Sequence, residues 1–294
     1  MFLTSLETIL GVPEYVGYIF FFVLGAVIGS FLNVVIHRVP NEESIVFPNS
    51  ACPKCKSGIK AYDNIPILSW LVLGGKCRNC KNPIAIRYPG VELLTAVVFT
   101  LFFWRCDISP ILPVYLVFAA AIISLIFIDA EHMILPNVIT YPGIVLAFLV
   151  RLIFPLVLGV AYFSDTQFAP LSDLKTWPLW SVSLLGAVLG ALAGGGMLWM
   201  VGKVWKVLRG VDAMGLGDVK MMLAIGALLG WRLTLLSIFF GAMTGAIGGI
   251  GIMIARRETM QAQIPFGIFL GLGSLISMLF GEAMIDWYVT TFIP

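Results

Sequence analysis

Hydrophobic positions along the chain are gathered into long blocks with polar residues between them. Eight apolar blocks stand out, at about residues 15–36, 88–104, 110–128, 138–158, 179–202, 218–231, 233–255 and 264–285. A helix needs about 20 mostly apolar residues to cross a bilayer, so the pattern predicts roughly eight transmembrane helices. The second and sixth blocks are short or rich in glycine and match that length least well. The longest stretch outside the blocks is about residues 37–87, between the first two. The chain therefore divides into a first span over 1–36, an extramembrane domain over 37–87 and a helical membrane core over 88–294.

Composition strengthens this division. Of the 294 residues, 60% are hydrophobic and 12% charged, against about 45–50% and 25% in ordinary soluble domains. That excess is too large for a buried core alone. The amino terminus, MFLTSLETILGVPEYVGYIF, has no Lys or Arg ahead of its first apolar block. A secretory signal would need a basic n-region, so the first block is expected to remain as a span.

The net charge of +2 says less than its distribution. Arg38, Lys54, Lys56, Lys60, Lys76, Arg78, Lys81 and Arg87 lie between the first two blocks. Lys203, Lys206, Arg209, Lys220, Arg256 and Arg257 border later connections on the same side. Arg105, Lys175 and Arg232 fall on the other side, and Arg151 lies within a block. The positive-inside rule then places the crowded side in the cytoplasm and both termini outside. No basic stripe of the kind that binds nucleic acid is present. The outer connection around 160–179 looks like a surface loop with interfacial aromatics. The glycine clusters GALAGGG (190–196) and GAMTGAIGGIG (241–251) predict close helix packing. No internal repeat is evident.

Candidate chemistry begins in the domain over 37–87, with CPKC (52–55) and CRNC (77–80). Two residues between cysteines let both sulfurs of a tight knuckle reach one tetrahedral ion. Two such knuckles match the spacing of four-cysteine zinc sites. Cys52, Cys55, Cys77 and Cys80 are the expected metal ligands; redox chemistry and unliganded thiols are the other readings. Four thiolates would close the coordination sphere, so zinc here would be structural. Cys106 stands alone on the opposite side and is expected to be a buried free thiol.

The second feature is a pair of acids. The third block ends in IDAEHMILPN (128–137), placing Asp129, Glu131 and His132 at a membrane edge. The sixth block opens with GLGD (215–218), where the glycines allow close approach or positive φ. There the Asp218 carboxylate meets the positive end of its helix dipole. Both acids are predicted at the same cytoplasmic depth. Two carboxylates brought together at a partly dry edge would share a proton. Such a dyad can hydrolyse a peptide bond, one member taking a proton from water while the other polarises the carbonyl. Unrelated helix-end acids, or an ion or proton path, would carry the same sequence signs. Asp212 is expected to be an ordinary loop acid, and His132 a local hydrogen-bond partner.

In order along the chain, GSFLNVVIHRVP (29–40), CPKC and CRNC, RYPGVELLTA (87–96), IDAEHMILPN, GLGDVK (215–220) and IPFG (264–267) resemble the bacterial type IV prepilin peptidases. That family belongs with the GxGD intramembrane aspartyl proteases, which include presenilin-like enzymes. The resemblance covers nearly the whole chain. It implies that Asp129 and Asp218 are a catalytic pair and that the four cysteines hold zinc. It also implies cleavage of the basic leader of prepilins or pseudopilins at the cytoplasmic face of the inner membrane. Family members with the cysteine-bearing domain then methylate the new amino terminus with S-adenosylmethionine, which makes 37–87 the expected methyltransferase region. Glu131 could receive the basic leader or be merely solvated. Lys220 could tune Asp218 or snorkel to the interface. Arg38, Arg87 and Glu92 could bind the methyl donor or form ion pairs that hold the fold. One departure is PFGI at 265–268, where the family often has PFGP.

Overall fold

A computed structural model of the chain describes residues 11–159, 177–211, 214–256 and 265–292, with side chains of 252–256 excepted. The outer connection over 160–176 and Asp212 lie outside these residues. The long helices are α1 (Glu14–Arg38), α3 (Arg87–Cys106), α4 (Leu112–His132), α5 (Asn137–Leu158), α6 (Leu179–Arg209), α7 (Leu216–Leu229), α8 (Trp231–Arg256) and α9 (Phe266–Phe292). A short helix, α2 (Leu68–Val72), lies in the loop domain between α1 and α3. Among the described residues, pairing of extended segments is limited to two isolated bridges.

All eight apolar blocks are helical, and seven of these helices are long and apolar enough to cross a membrane. The exception is α7, whose 14 residues reach about 21 Å against a ~30 Å hydrocarbon core. Its surroundings explain the short length: nearly all of α7 is buried by neighbouring helices, so protein rather than lipid meets its ends. At its carboxyl end the buried Arg151 of α5 donates from Nε to the Ala227 carbonyl at 3.1 Å. Helix-terminal carbonyls otherwise lack partners, and a buried Arg in a span satisfies one here.

The chain forms two compact units, Met1–Ile128 and Asp129–Pro294. In the first, α1 and α3 pack side by side at small residues. A Cβ on Gly25 would lie 2.7 Å from Ala96 Cα, and one on Gly29 2.7 Å from Glu92 Cα. Farther along, Phe103 stacks on Phe21 at 4.7 Å between ring centroids and meets Tyr18 edge-on. Asn33 ties the pair by donating from Nδ2 to the Tyr88 carbonyl at 3.0 Å. Cys106 is buried and carries no disulfide.

In the second unit α6, α7 and α5 pack together, and α8 packs on α9. The glycine clusters do what close packing asks of them: Gly190 and Gly226 bring the α6 and α7 backbones into direct contact, leaving no room for a side chain on either. Within α6, residues Leu192–Gly196 widen into a π turn. The helix stops at Gly210, whose φ of 74° is a left-handed conformation favoured by glycine.

Candidate active site and metal centre

Three helix ends meet in the second unit. The end of α4 carries Asp129, the first turn of α7 carries Asp218, and α9 begins at Phe266 and Gly267. Asp129 and Asp218 are only 5% and 8% exposed. The Asp129 carboxylate accepts from the Ile268 backbone N–H through Oδ2 at 3.2 Å. A Cβ added to Gly267 would lie 2.7 Å from that same oxygen and 3.1 Å from Asp218 Oδ1. Both carboxylates therefore converge on one backbone position, and glycine leaves the gap they share. The two acids predicted to meet do so, although they lie far apart in the chain.

The local sequence builds this meeting point. In GLGD the first glycine, Gly215, is the N-cap of α7 with ordinary extended angles. The second, Gly217, is needed for close approach: its Cβ would sit 2.8 Å from Leu135 Cβ. Leu135 belongs to the connection after Asp129, so the GLGD turn and the ILPN turn pack directly together. Positive φ falls instead on Met133, at 53°, where the chain reverses one residue beyond α4.

Neither role expected of Lys220 is the contact the structure shows. Its Nζ donates to Asn137 Oδ1 at 2.7 Å and lies 4.9 Å from the centre of the Tyr141 ring. Lys220 thus joins the start of α7 to the start of α5. Glu131 and His132 are exposed at the last turn of α4. Gly267 and the Ile268 N–H went unnoticed as site elements in the sequence. The signal available was IPFG itself, a glycine two residues after a proline at a helix start.

These contacts also fix the path of the helices. The starts of α5, α7 and α9 and the end of α4 all lie at the site, so α8 must return from the far end of α7. The short α7 therefore leads across the unit despite its length. Lys220 and the basic end of α6, with Lys203, Lys206 and Arg209, lie at ends that face the site, whereas Arg232 opens α8 at the far end.

In the first unit the Sγ atoms of Cys52, Cys55, Cys77 and Cys80 all lie within 4.8 Å of one another. The Cys52–Cys80 separation is 3.8 Å, which is about the edge of a tetrahedron with 2.3 Å metal–sulfur bonds. The donor set fits a thiolate-seeking ion and could hold one. Hydrogen bonding from the Ser57 side chain and backbone lowers the Cys55 thiol to about 6. Backbone N–H groups of Cys80 and Asn79 also lower Cys77. Both shifts favour the thiolate forms that bind metal.

A local repeat missed in the sequence appears here. Lys56 donates to the Cys52 carbonyl and Lys81 to the Cys77 carbonyl, at 2.8 and 3.0 Å. Both lysines have a φ of 58°, and matching isolated bridges flank the two knuckles. The shared string C-x-x-C-K was its sequence sign. Arg78, inside the second knuckle, grips Asp63 with two guanidinium nitrogens at 2.6–3.0 Å.

The charged residues of the neighbouring motifs hold backbone. Arg38 donates to the Ser44 and Pro48 carbonyls at 2.8 and 2.6 Å. Glu92 accepts from the Ile67 N–H at 2.7 Å, and the Arg87 guanidinium lies 5.0 Å from the Tyr88 ring centre.

A multi-pass helical membrane protein with two buried carboxylates converging at one helix start has the arrangement of an intramembrane aspartyl protease. Comparison with known proteins narrows the class. Residues 23–106 match the bacterial peptidase A24 N-terminal domain, and residues 116–250 match the type IV leader peptidase family. The prepilin leader peptidase/N-methyltransferase of Aeromonas hydrophila is 35% identical, covering 98% of this chain and 99% of the relative. Its counterpart in Neisseria gonorrhoeae is 37% identical over 91% and 93%, and that of Myxococcus xanthus 40% over 85% and 70%. No solved structure matches the chain. The chain belongs to the prepilin leader peptidase/N-methyltransferase family and is an enzyme of that family.

Proposed function

We propose that Asp129 and Asp218 are the catalytic dyad of a prepilin peptidase. The observation that carries this reading is their convergence, while buried, on Gly267. With one carboxylate ionised and the other protonated, the ionised member removes a proton from water. The oxygen of that water forms a bond to the scissile carbonyl carbon, while the protonated partner donates to the carbonyl oxygen. Breakdown of the tetrahedral intermediate breaks the C–N bond, and the proton taken from water passes to the leaving amine. The Ile268 N–H orients Asp129 for this work. By the charge distribution the site faces the cytoplasm. There a substrate helix can lie in the membrane while its basic leader meets the exposed Glu131. Type IV prepilins or pseudopilins are the substrates.

In the same reading the four cysteines hold structural zinc, and residues 37–87 with the facing parts of α1 and α3 support methyl transfer from S-adenosylmethionine. The methyl donor would bring an amine and an adenine amino group, both hydrogen-bond donors. Asn33 Oδ1 is a buried acceptor that has no hydrogen-bond partner within the protein, and such groups need an explanation. Asn33 would receive one of those donors.

Cleavage of a purified prepilin by folded wild type, Asp129→Asn and Asp218→Asn in lipid tests the dyad. Each single change should abolish cleavage while leaving methylation of a precleaved substrate in place. A variant that cleaves at the wild-type rate would show that the dyad assignment is wrong.

A further inference from the structure

The loop domain carries an apolar surface that neither the cysteine cluster nor the α1–α3 pairing uses. It centres on α2 and the residues before it, in the uncharged string IPILSWLV (65–72). The polar groups of this segment turn inward. Ser69 Oγ donates to the Tyr62 carbonyl and Trp70 Nε1 to the Ile84 carbonyl, each at 3.1 Å. Its aliphatic side chains turn outward: Ile65, Leu68 and Leu71 are exposed, and Val72 is 81% exposed. A helix on a water-soluble domain presents the opposite faces.

Glu92 sets the depth of this segment. Helix α3 has 20 residues, about 30 Å at 1.5 Å per residue, so crossing the hydrocarbon core takes its whole length. Its first residue, Arg87, then lies at the lipid boundary with the exposed Ile86 just outside. Glu92 is five residues further in, roughly 7–8 Å along the helix. The Ile67 N–H nevertheless reaches Glu92 Oε2 at 2.7 Å. To make that bond Ile67 adopts a φ of 62°, a left-handed conformation that a β-branched residue rarely takes. The corner before α2 is thus drawn to the depth where headgroups give way to acyl chains, and the apolar face of α2 continues the lipid-facing surface of α3 at Leu93 and Val97.

We propose that residues 65–72 form an interfacial membrane anchor. Leu68, Leu71 and Val72 enter the acyl-chain boundary of the leaflet in which α1 ends and α3 begins, and the cysteine cluster is thereby held against the bilayer surface. Short apolar faces of this kind bury about 5–10 Å into the boundary. Lys60 and Lys76, on either side in the sequence and both exposed, are placed to meet anionic headgroups.

The test uses the full-length protein in vesicles of phosphatidylethanolamine and phosphatidylglycerol. The photoreactive residue p-benzoyl-phenylalanine is placed singly at Val72, at Leu71, at Leu93 in α3 and at Lys54 in the first knuckle. Val72 and Lys54 are exposed, so neither replacement disturbs packing. Phospholipid adducts, read by mass, should form at Val72 and Leu71 at close to the Leu93 yield. They should form about tenfold less at Lys54, beyond the reach of the boundary region. Adducts at Val72 and Leu71 no more abundant than at Lys54 would overturn the proposal. So would an adduct with the mass of a protein chain, which would make this face an interface with a second copy or a substrate.

Discussion

Gly267→Ala isolates the geometry of the proposed dyad, because it adds one methyl group and leaves both carboxylates in place. The new Cβ would lie 2.7 Å from Asp129 Oδ2, 3.1 Å from Asp129 Cγ and 3.1 Å from Asp218 Oδ1. Ordinary contacts of this kind begin near 3.4 Å, so at least one carboxylate must move by several tenths of an ångström. The residue is helical, so α9 cannot relieve the clash by a local turn, and Asp129 is tethered to the adjacent Ile268 N–H. Misplacing reacting groups by about 1 Å can cost about 100-fold in rate, and a loss of about 10- to 100-fold in cleavage kcat is expected here. The assay follows release of the prepilin leader by reconstituted enzyme, alongside methylation of precleaved substrate. Methylation should stay near the wild-type rate, showing that the variant is folded and correctly inserted. Cleavage within threefold of wild type would refute the convergence, because no arrangement of the two acids around Gly267 accommodates the methyl group untouched.

Other outcomes follow from single contacts. Ile268→Pro removes the N–H that holds Asp129 while remaining compatible with the first turn of a helix, so cleavage should fall by about tenfold, the worth of one hydrogen bond to a charged group, and the protein should keep its thermal transition. Lys220→Met should lower cleavage by a similar order by freeing α7 from Asn137, with Lys220→Arg restoring part of it; equal activity in all three would show that the Asn137 contact is idle. Cys52→Ser should release metal, measured by elemental analysis, and raise hydrogen exchange over residues 50–80 while the spans remain inserted. In metal-stripped protein Cys55, with its thiol near 6, is largely thiolate at pH 7 and should alkylate ahead of a thiol at the ordinary value; the advantage should fade as pH drops below about 6, as peptide mapping would read. The Asp63 carboxyl is held below its usual range by Arg78, so the Asp63–Arg78 tie should persist from pH 8 to 5 and weaken only as pH falls through that lowered value.

The sequence revealed most about features that rest on local composition. Block length and hydropathy located all eight helices, and the spacing of CPKC and CRNC located four sulfurs that the structure places together. What remained hidden depended on close approach between distant segments. GLGD allowed either positive φ or tight contact at its glycines, and only the packing of Gly217 against Leu135 decides for contact. Gly267 shows no chemistry of its own and gains meaning from two acids on other helices. Lys220 lies two residues after Asp218, which invited a reading as its electrostatic neighbour. A helix turns about 100° per residue, so that spacing directs Lys220 to another face, where Asn137 and Tyr141 stand.

The same physical limit accounts for α7. Judged by lipid thickness alone, 14 residues cannot span, and the sequence gives no sign of what surrounds them. Once α5, α6, α8 and α9 are placed around it, the relevant solvent for α7 is protein, and the length rule for lipid no longer applies. Arg151 then satisfies a carbonyl at the buried carboxyl end, and the amino end is free to present Asp218 below the level at which a full-length helix would begin. A shortened, fully jacketed helix is thus a means of placing an acid inside the apolar layer without exposing its backbone to lipid. Lengthening α7 by one turn at its amino end should move Asp218 about 5 Å away from Asp129 and abolish cleavage. Insertion of the same turn after Ala227 should leave the acids in place and weaken only the Arg151 contact, so cleavage that survives the first insertion but not the second would contradict this account of the site.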